Sequence, residues 1–283
     1  MNEHEINKTY IDKYGRISAI LAINKPKSIT SHDLVDKIRK KLKTRRVGHT
    51  GALDPFATGL MIILVGKNTK LANNFLLMDK EYEFDLLLGV TTGTLDPEGK
   101  TESITNVSKL SEEKISKYIN KFKGISYQEV PIYSSVKVNG IRLRELAHSA
   151  TRIKKEDSEV NFKIDSKSRI FKKLKRQGKL DRKNIIKVKI PERKVNIKQI
   201  EVLEAKVIKS NKIEFLRDEK KTYKLMIIKL RAKVSKGTYI RQLAKDIGEE
   251  IGNIPAMLYT LKRTRVGNIA LKEAIKISQL ETE

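Results

Sequence analysis

The stretch VGHTGALDPFATGLMIILV, residues 47–65, places a turn-rich loop directly before an uninterrupted apolar run. Three glycines, a proline and an Asp-Pro step within residues 48–59 predict a loop rather than a helix or a strand. The run LMIILV predicts a buried segment, either a strand or the start of a helix, because periodicity alone does not separate the two. The carboxylate of Asp54 is therefore either exposed and idle or held by a rigid loop beside an apolar pocket, and loops on rigid scaffolds are favoured positions for reacting groups.

The segment ILAINKPKSITSHDLVDKIRKKLK, just upstream, predicts a strand, a turn and a helix. Residues 20–23 form a short apolar run that a proline and a serine interrupt. Thr30 and Asp33 have the spacing of a capping box, with Asp33 at the position that Glu or Gln usually occupies. The apolar positions that follow recur at helical spacing: Leu34, Val35, Ile38 and Leu42.

Farther along the chain, strands and helices follow one another without a regular alternation. YEFDLLLGV (82–90) has the period-two pattern of a strand, and TTGTLDPEG (91–99) is a second turn-rich loop. Residues 108–122 predict a helix with a serine cap, and residues 242–252 predict another amphipathic helix. The segments IKQIEVLEAKVIKS and YKLMIIKLRAKVSKGTYIR have the composition of strands. The absence of a βαβ rhythm favours the α+β class over a doubly wound sheet.

The charge of the chain is strongly positive, since 60 Lys and Arg outnumber 34 Asp and Glu, for a formal net charge of +26. Such an excess favours a polyanionic partner, nucleic acid first and an anionic membrane surface second, over a solvated lysine-rich surface. The lack of cysteine excludes disulfides, thiolate metal sites and thiol nucleophiles. Because the N-terminus is polar and LMIILV is the longest apolar run, we expect a soluble, cytoplasmic protein without a signal peptide.

Residues 161–194 carry much of this charge, with fourteen Lys or Arg against three Asp or Glu. Hydrophobic residues are scattered through the segment. Two interpretations are open: a basic insertion that is partly helical or hairpin-like and projects from the main body, or a disordered loop. We expect an insertion at about residues 155–190 within a single domain that spans residues 1–283.

Several polar side chains are candidates for chemistry, and each has a plainer alternative. Asp54 is either a reacting carboxylate or an idle turn residue, and His49 is either a substrate contact or a turn histidine. In SKGTYIR, Tyr239 and Arg241 alternate as on a strand. An arginine there could keep a buried carboxylate ionised, and a tyrosine could stack on a base; the alternative is an ordinary edge strand. Tyr82, on the alternating strand, is also a candidate, and its plainer alternative is a core aromatic residue whose hydroxyl has a hydrogen-bond partner.

Taken together, these segments resemble the TruB family, the tRNA pseudouridine-55 synthases. KPKSITSHDLV is similar to the family's KPxGxTSxDxV segment, and VGHTGALDPFATGLMIILVGKNTK to its GHxGxLDPxAxG block with the trailing GxxTK. KEYEFDLLLGVTTGTLDPEG, QEVPIYSSVKVNGIRL, SKGTYIRQLAKDIGEEIG and LKRTRVG resemble its later segments, in the family's order. The resemblance covers residues 18–150 and 190–275, so chance does not explain it.

The resemblance implies a pseudouridine synthase fold of the α+β class, with a mixed, largely antiparallel sheet flanked by helices and loops. It implies an isomerase that extrudes the T-loop uridine at tRNA position 55 and converts it to pseudouridine. The glycosidic C–N bond breaks, the uracil turns, and C5 bonds to C1′. It also implies tRNA as the partner and no need for a metal or cofactor. We further expect a monomer that uses no guide RNA and binds no membrane.

The same resemblance carries roles over to individual residues. Asp54 matches the catalytic aspartate, Tyr82 the tyrosine that stacks on the target base and takes part in proton transfer, and Arg241 the arginine that pairs with the aspartate. The carboxylate either attacks C1′ or removes the 2′ proton, and the sequence leaves both routes open. Matches to substrate-binding residues are His49, which fills the space of extruded bases, Tyr239 and Leu261, which line the uridine pocket, and Thr50, Lys25 and Lys70.

The chain departs from the family pattern at a few positions. Ser28 stands where glycine is common, and Val130 stands where proline is common. The basic stretch of residues 161–194 exceeds the usual connection, and the sequence ends soon after LKRTRVG. We therefore expect a short form without the C-terminal PUA-type RNA-binding domain, in which the basic insertion helps to hold the tRNA.

Two other functions would use the same surface. A protein that folds or chaperones tRNA by opening its elbow needs no chemistry, and an enzyme can do both. A guide-RNA-dependent relative is disfavoured, because guide RNA docking would lose its usual C-terminal platform.

Overall fold

The structure is a computed structural model that describes residues 6–156, 159–217 and 219–280. Residues 1–5, on which the N-terminal prediction partly rests, and residues 157 and 158 of the predicted insertion lie outside the described residues. Contacts divide the chain into two compact units. The first comprises Met1–Ser126, Val195–Thr238 and Ala244–Glu283, and the second comprises Tyr127–Lys194 and Tyr239–Leu243. The expectation of one domain with an insertion stays a prediction.

The strands, in chain order, are β1 (Thr9–Ile11), β2 (Ile17–Lys25), β3 (Val47–His49), β4 (Thr58–Val65), β5 (Lys80–Leu88), β6 (Val90–Thr92), β7 (Thr101–Ile104), β8 (Gly124–Glu129), β9 (Lys137–Val138), β10 (Ile141–Arg142), β11 (Ala150–Glu156), β12 (Glu159–Ile164), β13 (Ile185–Lys189), β14 (Glu192–Lys209), β15 (Lys224–Val234), β16 (Ala256–Val266) and β17 (Ile269–Ala270). The α-helices are α1 (Ser31–Lys41), α2 (Ala72–Leu77), α3 (Glu112–Asn120), α4 (Leu143–His148), α5 (Phe171–Arg176) and α6 (Ile240–Gly252). Short 3-10 helices are Gly66–Leu71, Ser210–Lys212, Glu214–Leu216, Leu271–Glu273 and Ile277–Gln279. Within the described ranges, every helix is too short or too polar to cross a membrane.

The first unit is built on a mixed sheet with the strand order β1-β2-β4-β16-β5-β15-β14. β3 pairs with β4 and β17 pairs with β16 beside this path. Neighbouring strands in this order are antiparallel except β4 and β16, which run parallel where Thr58 and Gly59 meet Lys262 and Arg263. The mixed, largely antiparallel sheet predicted from the sequence is therefore confirmed.

β4 contains the apolar run that follows the Asp54 loop, and it is a strand rather than a helix. Its side chains alternate between two hydrophobic clusters. Met61 and Ile63 pack with the apolar face of α1, whereas Ile62 and Leu64 pack with Phe75 of α2. Because both faces of the strand are covered, its sequence is apolar throughout instead of alternating.

α1 begins as the sequence predicts. Thr30 is the N-cap: its hydroxyl accepts from the Asp33 N–H (3.0 Å), and the Asp33 carboxylate accepts from the Thr30 N–H (2.8 Å). The predicted apolar face is buried, with Leu34 and Ile38 fully inaccessible. The helix predicted over residues 108–122 is shorter, because the N-cap of α3 is Ser111.

The strand prediction for SKGTYIR is wrong. β15 ends at Val234, a turn with Gly237 at φ 80° follows, and α6 begins at Ile240, two residues before the predicted start. The side chain of Gln128 explains the difference within the second unit. It accepts from the Tyr239 N–H (2.8 Å) and donates to the Tyr239 C=O (3.1 Å), which replaces the pairing that a strand would need.

The second unit contains an antiparallel sheet of β11, β12 and β13. One face of this sheet packs with α4 and α5 in a single hydrophobic cluster. Its fully or nearly fully buried members include Leu146, Val160, Phe162, Leu174, Ile186 and Val188. The basic stretch of residues 161–194 is therefore folded, partly as helix and partly as sheet, and the alternative of a disordered loop is wrong.

The two single-residue departures each have a structural explanation. Ser28 has φ 68°, in the left-handed region that glycine adopts most easily. Val130 is buried, and its N–H donates to the Pro191 C=O (3.0 Å), a bond that a proline at this position could not make.

Candidate active site

The loop between β3 and β4 presents Asp54 at a half-buried position on a fixed main chain. The Ala57 N–H donates to the Asp54 C=O (3.1 Å) and closes a turn. Ser31, the first residue of α1, uses one hydroxyl twice: it accepts from the Leu53 N–H and donates to the Leu53 C=O, both at 2.9 Å. The main chain is thus fixed on both sides of the Asp54 carboxylate.

A buried ammonium group supports the same loop. Lys25, the last residue of β2, is fully inaccessible. Its Nζ donates to the C=O groups of Pro26 (2.8 Å), Pro55 (3.2 Å) and Ala57 (2.7 Å). Burial lowers the pKa of Lys25 to about 8. The carboxylates of Asp54 and Glu98 raise this pKa, but by less than burial lowers it. Lys25 supports the loop main chain, and its predicted contact with substrate stays a prediction.

A second buried cation, Arg263 of β16, was not singled out from the sequence. It is 2% exposed; its Nε donates to the Leu60 C=O (2.7 Å) and its Nη2 to the Gly51 C=O (3.1 Å). It therefore ties both ends of the loop to the sheet. Gly59, at φ 104°, lies opposite Arg263, and a Cβ at Gly59 would overlap the Arg263 main chain. The segment LKRTR places two arginines on one strand, but nothing in its sequence predicts that Arg263 is buried.

Tyr82 and Leu261 lie on the face of the sheet from which Arg263 reaches the loop. β5 and β16 are antiparallel, with Tyr82 opposite Arg263 and Phe84 opposite Leu261. Directly opposite residues on neighbouring strands point to the same face, as do residues two apart on one strand. Tyr82 is 9% and Leu261 is 7% exposed. A phenol and an apolar side chain thus share one face with the cation that fixes the loop.

His49 and Thr50 lead from β3 into the loop. The His49 Nδ1 accepts from the Gly51 N–H (3.3 Å), and burial followed by the charge of Arg263 holds the pKa of His49 below its usual value. Both effects favour the neutral form of the imidazole. Thr50 is buried, and its N–H donates to the Ile62 C=O (3.1 Å). The loop offers a carboxylate and a neutral ring, while its two supporting cations are occupied by main-chain carbonyls.

Arg241 and Tyr239 belong to the second unit. Arg241 lies in the first turn of α6, is 6% exposed, and donates to the Tyr133 C=O (3.0 Å). Tyr239 is half-buried, with the Arg193 guanidinium 5.9 Å from its ring centroid. The pairing of Arg241 with Asp54 stays a prediction.

Lys70 is not brought to the loop. It is exposed on the 3-10 helix Gly66–Leu71, which follows β4, whereas Asp54 precedes that strand. Seven residue steps of β4 separate the two ends by roughly 20 Å. The described residues contain no group of three or more His, Asp or Glu placed to hold a metal ion. That catalysis needs no metal or cofactor stays a prediction.

Comparison with known proteins identifies the family. Residues 39–170 match the model of the TruB family pseudouridylate synthase (N-terminal domain). A tRNA pseudouridine synthase B from Endomicrobium trichonymphae is 34% identical over 269 residues, which cover 95% of this chain and 94% of that protein. This chain belongs to the TruB family. It is accordingly an isomerase of the pseudouridine synthase type. Another tRNA pseudouridine synthase B, from Fusobacterium nucleatum, is 36% identical over 256 residues, covering 90% of this chain and 70% of that protein.

Solved structures agree on the fold. A Cbf5–Nop10–Gar1 complex contains a chain with a TM-score of 0.55 and 22% identity, covering 92% of this chain and 52% of that chain. An H/ACA RNP bound to a substrate RNA containing 2′-deoxyuridine gives a TM-score of 0.52, also at 22% identity, covering 92% of this chain and 51% of that chain. This chain thus spans about half of each neighbour. The predicted pseudouridine synthase fold is confirmed.

Proposed function

We propose that this protein isomerises the uridine at position 55 in the tRNA T loop to pseudouridine, with Asp54 as the catalytic carboxylate. The observation that carries the proposal is the fixed loop: Ser31, Lys25 and Arg263 bind main-chain groups on both sides of Asp54. Such preorganisation is what a reacting group requires. The relatives named tRNA pseudouridine synthase B support tRNA as the substrate, and the net charge of +26 suits a polyanion.

The reaction begins with a base taken out of its stack, which costs a few kcal/mol. Stacking on Tyr82 and contact with Leu261 offset that cost, and the neutral His49 fills the vacated space. Asp54 then either attacks C1′ as the C–N bond breaks or removes the 2′ proton to leave a glycal. C5 then bonds to C1′: in the first route the Asp54–C1′ bond breaks as it does so, and in the second C2′ regains its proton from Asp54. In both routes C5 loses its proton and N1 gains one. We expect Arg241 to supply the counter-charge of the Asp54 carboxylate, as the resemblance to the family implies.

The test compares Asp54→Asn with a matched control, Asp79→Asn. Asp79 is also half-buried, and its carboxylate pairs with Lys198 at 2.6 Å. Each purified protein is incubated with an unmodified tRNA transcript, without cofactor or guide RNA, and pseudouridine is mapped by carbodiimide labelling and primer extension. Wild type and Asp79→Asn should modify position 55, and Asp54→Asn should not. Turnover by Asp54→Asn, or modification at another position by wild type, would contradict the proposal.

A substrate deuterated at C2′ of the target uridine separates the two chemical routes. A primary isotope effect is expected only if Asp54 removes the 2′ proton. Assistance of tRNA folding is a second proposed property, and Asp54→Asn should retain it because it needs binding but no chemistry. Action as a monomer in the cytoplasm also stays a prediction.

A further inference from the structure

A groove in the second unit runs along α5. Its lining residues are Ser166, Phe171, Lys172, Lys175 and Arg176, and its volume is about 310 Å³. Leu174 is buried in the core of this unit, whereas Lys172, Lys175 and Arg176 are exposed. These three cations follow an i, i+3, i+4 pattern, which places them on one helix face with about 5–6 Å between neighbouring Cβ atoms. The groove thus presents three positive charges, a hydroxyl and an aromatic ring.

The charges of this groove are not neutralised within the described part of the chain, where no carboxylate lies within 4.0 Å of the three cationic groups. Nearby carboxylates are engaged in closing turns instead. Asp165 accepts from the Lys167 N–H (2.9 Å), and Asp181 accepts from the N–H groups of Lys183 (2.8 Å) and Ile185 (2.7 Å). The acidic side chains of this segment serve the fold and leave the groove positive.

The arrangement is unfavourable for the helix itself. A six-residue helix is marginal, and like charges three and four residues apart repel. Lys175 and Arg176 lie in the last turn, where the helix dipole favours cations, and Lys175 also lies 5.9 Å from the Phe171 ring centroid. Lys172 lies in the first turn, where the dipole opposes a cation. A ligand with closely spaced negative charges would relieve this repulsion.

We infer that the α5 groove binds the phosphodiester backbone of the tRNA at neighbouring phosphates. The identity of the RNA rests on the proposed function. The groove is open to solvent, so it suits an extended backbone that stays partly hydrated better than a small molecule that must be enclosed. A membrane surface fits less well, because a helix that lies on lipid inserts large apolar side chains, and those of the described residues 159–190 are not exposed.

The experiment compares two variants that lose the same charge. The groove variant combines Lys172→Gln, Lys175→Gln and Arg176→Gln. The control variant changes the outer face of β12 and β13: Lys163→Gln, Lys187→Gln and Lys189→Gln. Affinity for unmodified tRNA is measured by fluorescence anisotropy across roughly 50–200 mM salt. The groove variant should bind roughly tenfold more weakly, with a log–log salt slope shallower by about 2 to 3, and the control should change by less than half as much.

Unchanged tRNA affinity of the groove variant would overturn the inference. An equal loss of affinity in both variants would also overturn it, because it would show that the positive surface attracts tRNA without a specific site. Flotation with phosphatidylcholine–phosphatidylserine vesicles tests the membrane alternative. A groove variant that loses vesicle binding but keeps its tRNA affinity would also overturn the inference. Thermal unfolding with matching midpoints establishes that both variants fold.

Pseudouridine formation separates this inference from the proposed function. In an active enzyme the groove variant should raise KM rather than lower kcat, by the same factor as its loss of affinity. A wild-type protein that makes no pseudouridine defeats the proposed function, while the affinity difference between the variants still supports the groove. An active enzyme with unaltered groove-variant affinity and KM defeats only the groove.

Discussion

Cationic side chains have different roles in two regions of this molecule. Beside Asp54, Lys25 and Arg263 are buried and donate to main-chain carbonyls. Along α5, the cations of residues 172–176 are exposed and, within the described residues, lack a carboxylate within ion-pair distance. Burying a charge is costly unless hydrogen bonds compensate it, so the first group supports structure and the second is available to a ligand. The net charge of +26 therefore includes buried cations that support the fold and exposed cations that are available to a ligand, and a count of residues cannot separate the two.

The largest expected effect in this comparison belongs to Arg263→Met. It removes the donors to the C=O groups of Leu60 and Gly51, and buried carbonyls without a partner are costly. We expect the free energy of unfolding to fall by about 3 kcal/mol and turnover to fall by about 100-fold, because the loop loses its preorganisation. Urea unfolding and single-turnover assays measure the two losses.

Arg265→Met, on the same strand, is the control for Arg263→Met. Arg265 is half-buried and donates to the C=O of the exposed Asn268 (2.7 Å), so its loss should leave both quantities near the wild-type values. Turnover of Arg263→Met within threefold of wild type would show that the loop does not depend on this buried cation.

Lys25→Met and Lys80→Met form a second pair. Like Lys25, Lys80 is buried and donates to three carbonyls, and its pKa is lowered to about 8. The carbonyls that accept from Lys80 belong to the last turn of α2 and to Met78, which follows it, and not to the loop of Asp54. Each substitution should lower the free energy of unfolding by about 2 kcal/mol, but only Lys25→Met should also reduce turnover, by roughly tenfold. Equal loss of turnover in the two variants would show that the loop of Asp54 does not depend on Lys25 more than on any other buried lysine.

The contribution of the buried cation Lys25 to the free energy of unfolding should also depend on pH. The pKa of Lys25 is about 8 in the folded chain, whereas a lysine in the unfolded chain titrates near 10.5. Between these values the unfolded chain binds more protons, so the contribution of Lys25 to stability rises with pH, by at most about 1.4 kcal/mol per unit. The difference in free energy of unfolding between wild type and Lys25→Met, measured in urea from pH 7 to 10, should therefore increase. A constant difference would contradict the lowered pKa.

Features of the first unit that depend on neighbouring residues could be predicted from the sequence. The capping box of Thr30 and Asp33 and the alternation along β5 are local patterns, and both are confirmed. Asp54 came from a motif whose residues are contiguous, and its catalytic role stays a prediction. Local chemistry thus predicted the loop itself, but it left open whether a strand or a helix follows, and the structure shows the strand β4.

Features that depend on distant partners could not be predicted. Arg263 is separated from Gly51 by 212 positions, and no local pattern indicates that this arginine is buried. Tyr239 and Arg241 were expected to face one side of a strand. Gln128, 111 positions away, binds the Tyr239 main chain and the strand ends before it. In both cases a side-chain donor or acceptor from another part of the fold decided the local structure.

The smallest expected effect has the opposite sign to those at the buried cations. Arg152 and Lys163 lie directly opposite each other on β11 and β12, and both are exposed. Like charges at such positions destabilise a sheet, so Lys163→Gln should raise the urea midpoint by roughly 0.1 M at low salt. The gain should disappear at about 1 M salt, where the Debye length is short.

Lys189→Gln is the matched control, because Lys189 lies opposite Glu159 on the same sheet. Loss of that opposite-charge pair should lower the midpoint slightly, so the two substitutions differ in sign although each removes one exposed lysine. If Lys163→Gln lowered the midpoint at low salt, this exposed cation would support the fold as Lys25 does. Exposure alone would then no longer separate the cations of the second unit that support its fold from those that are available to a ligand.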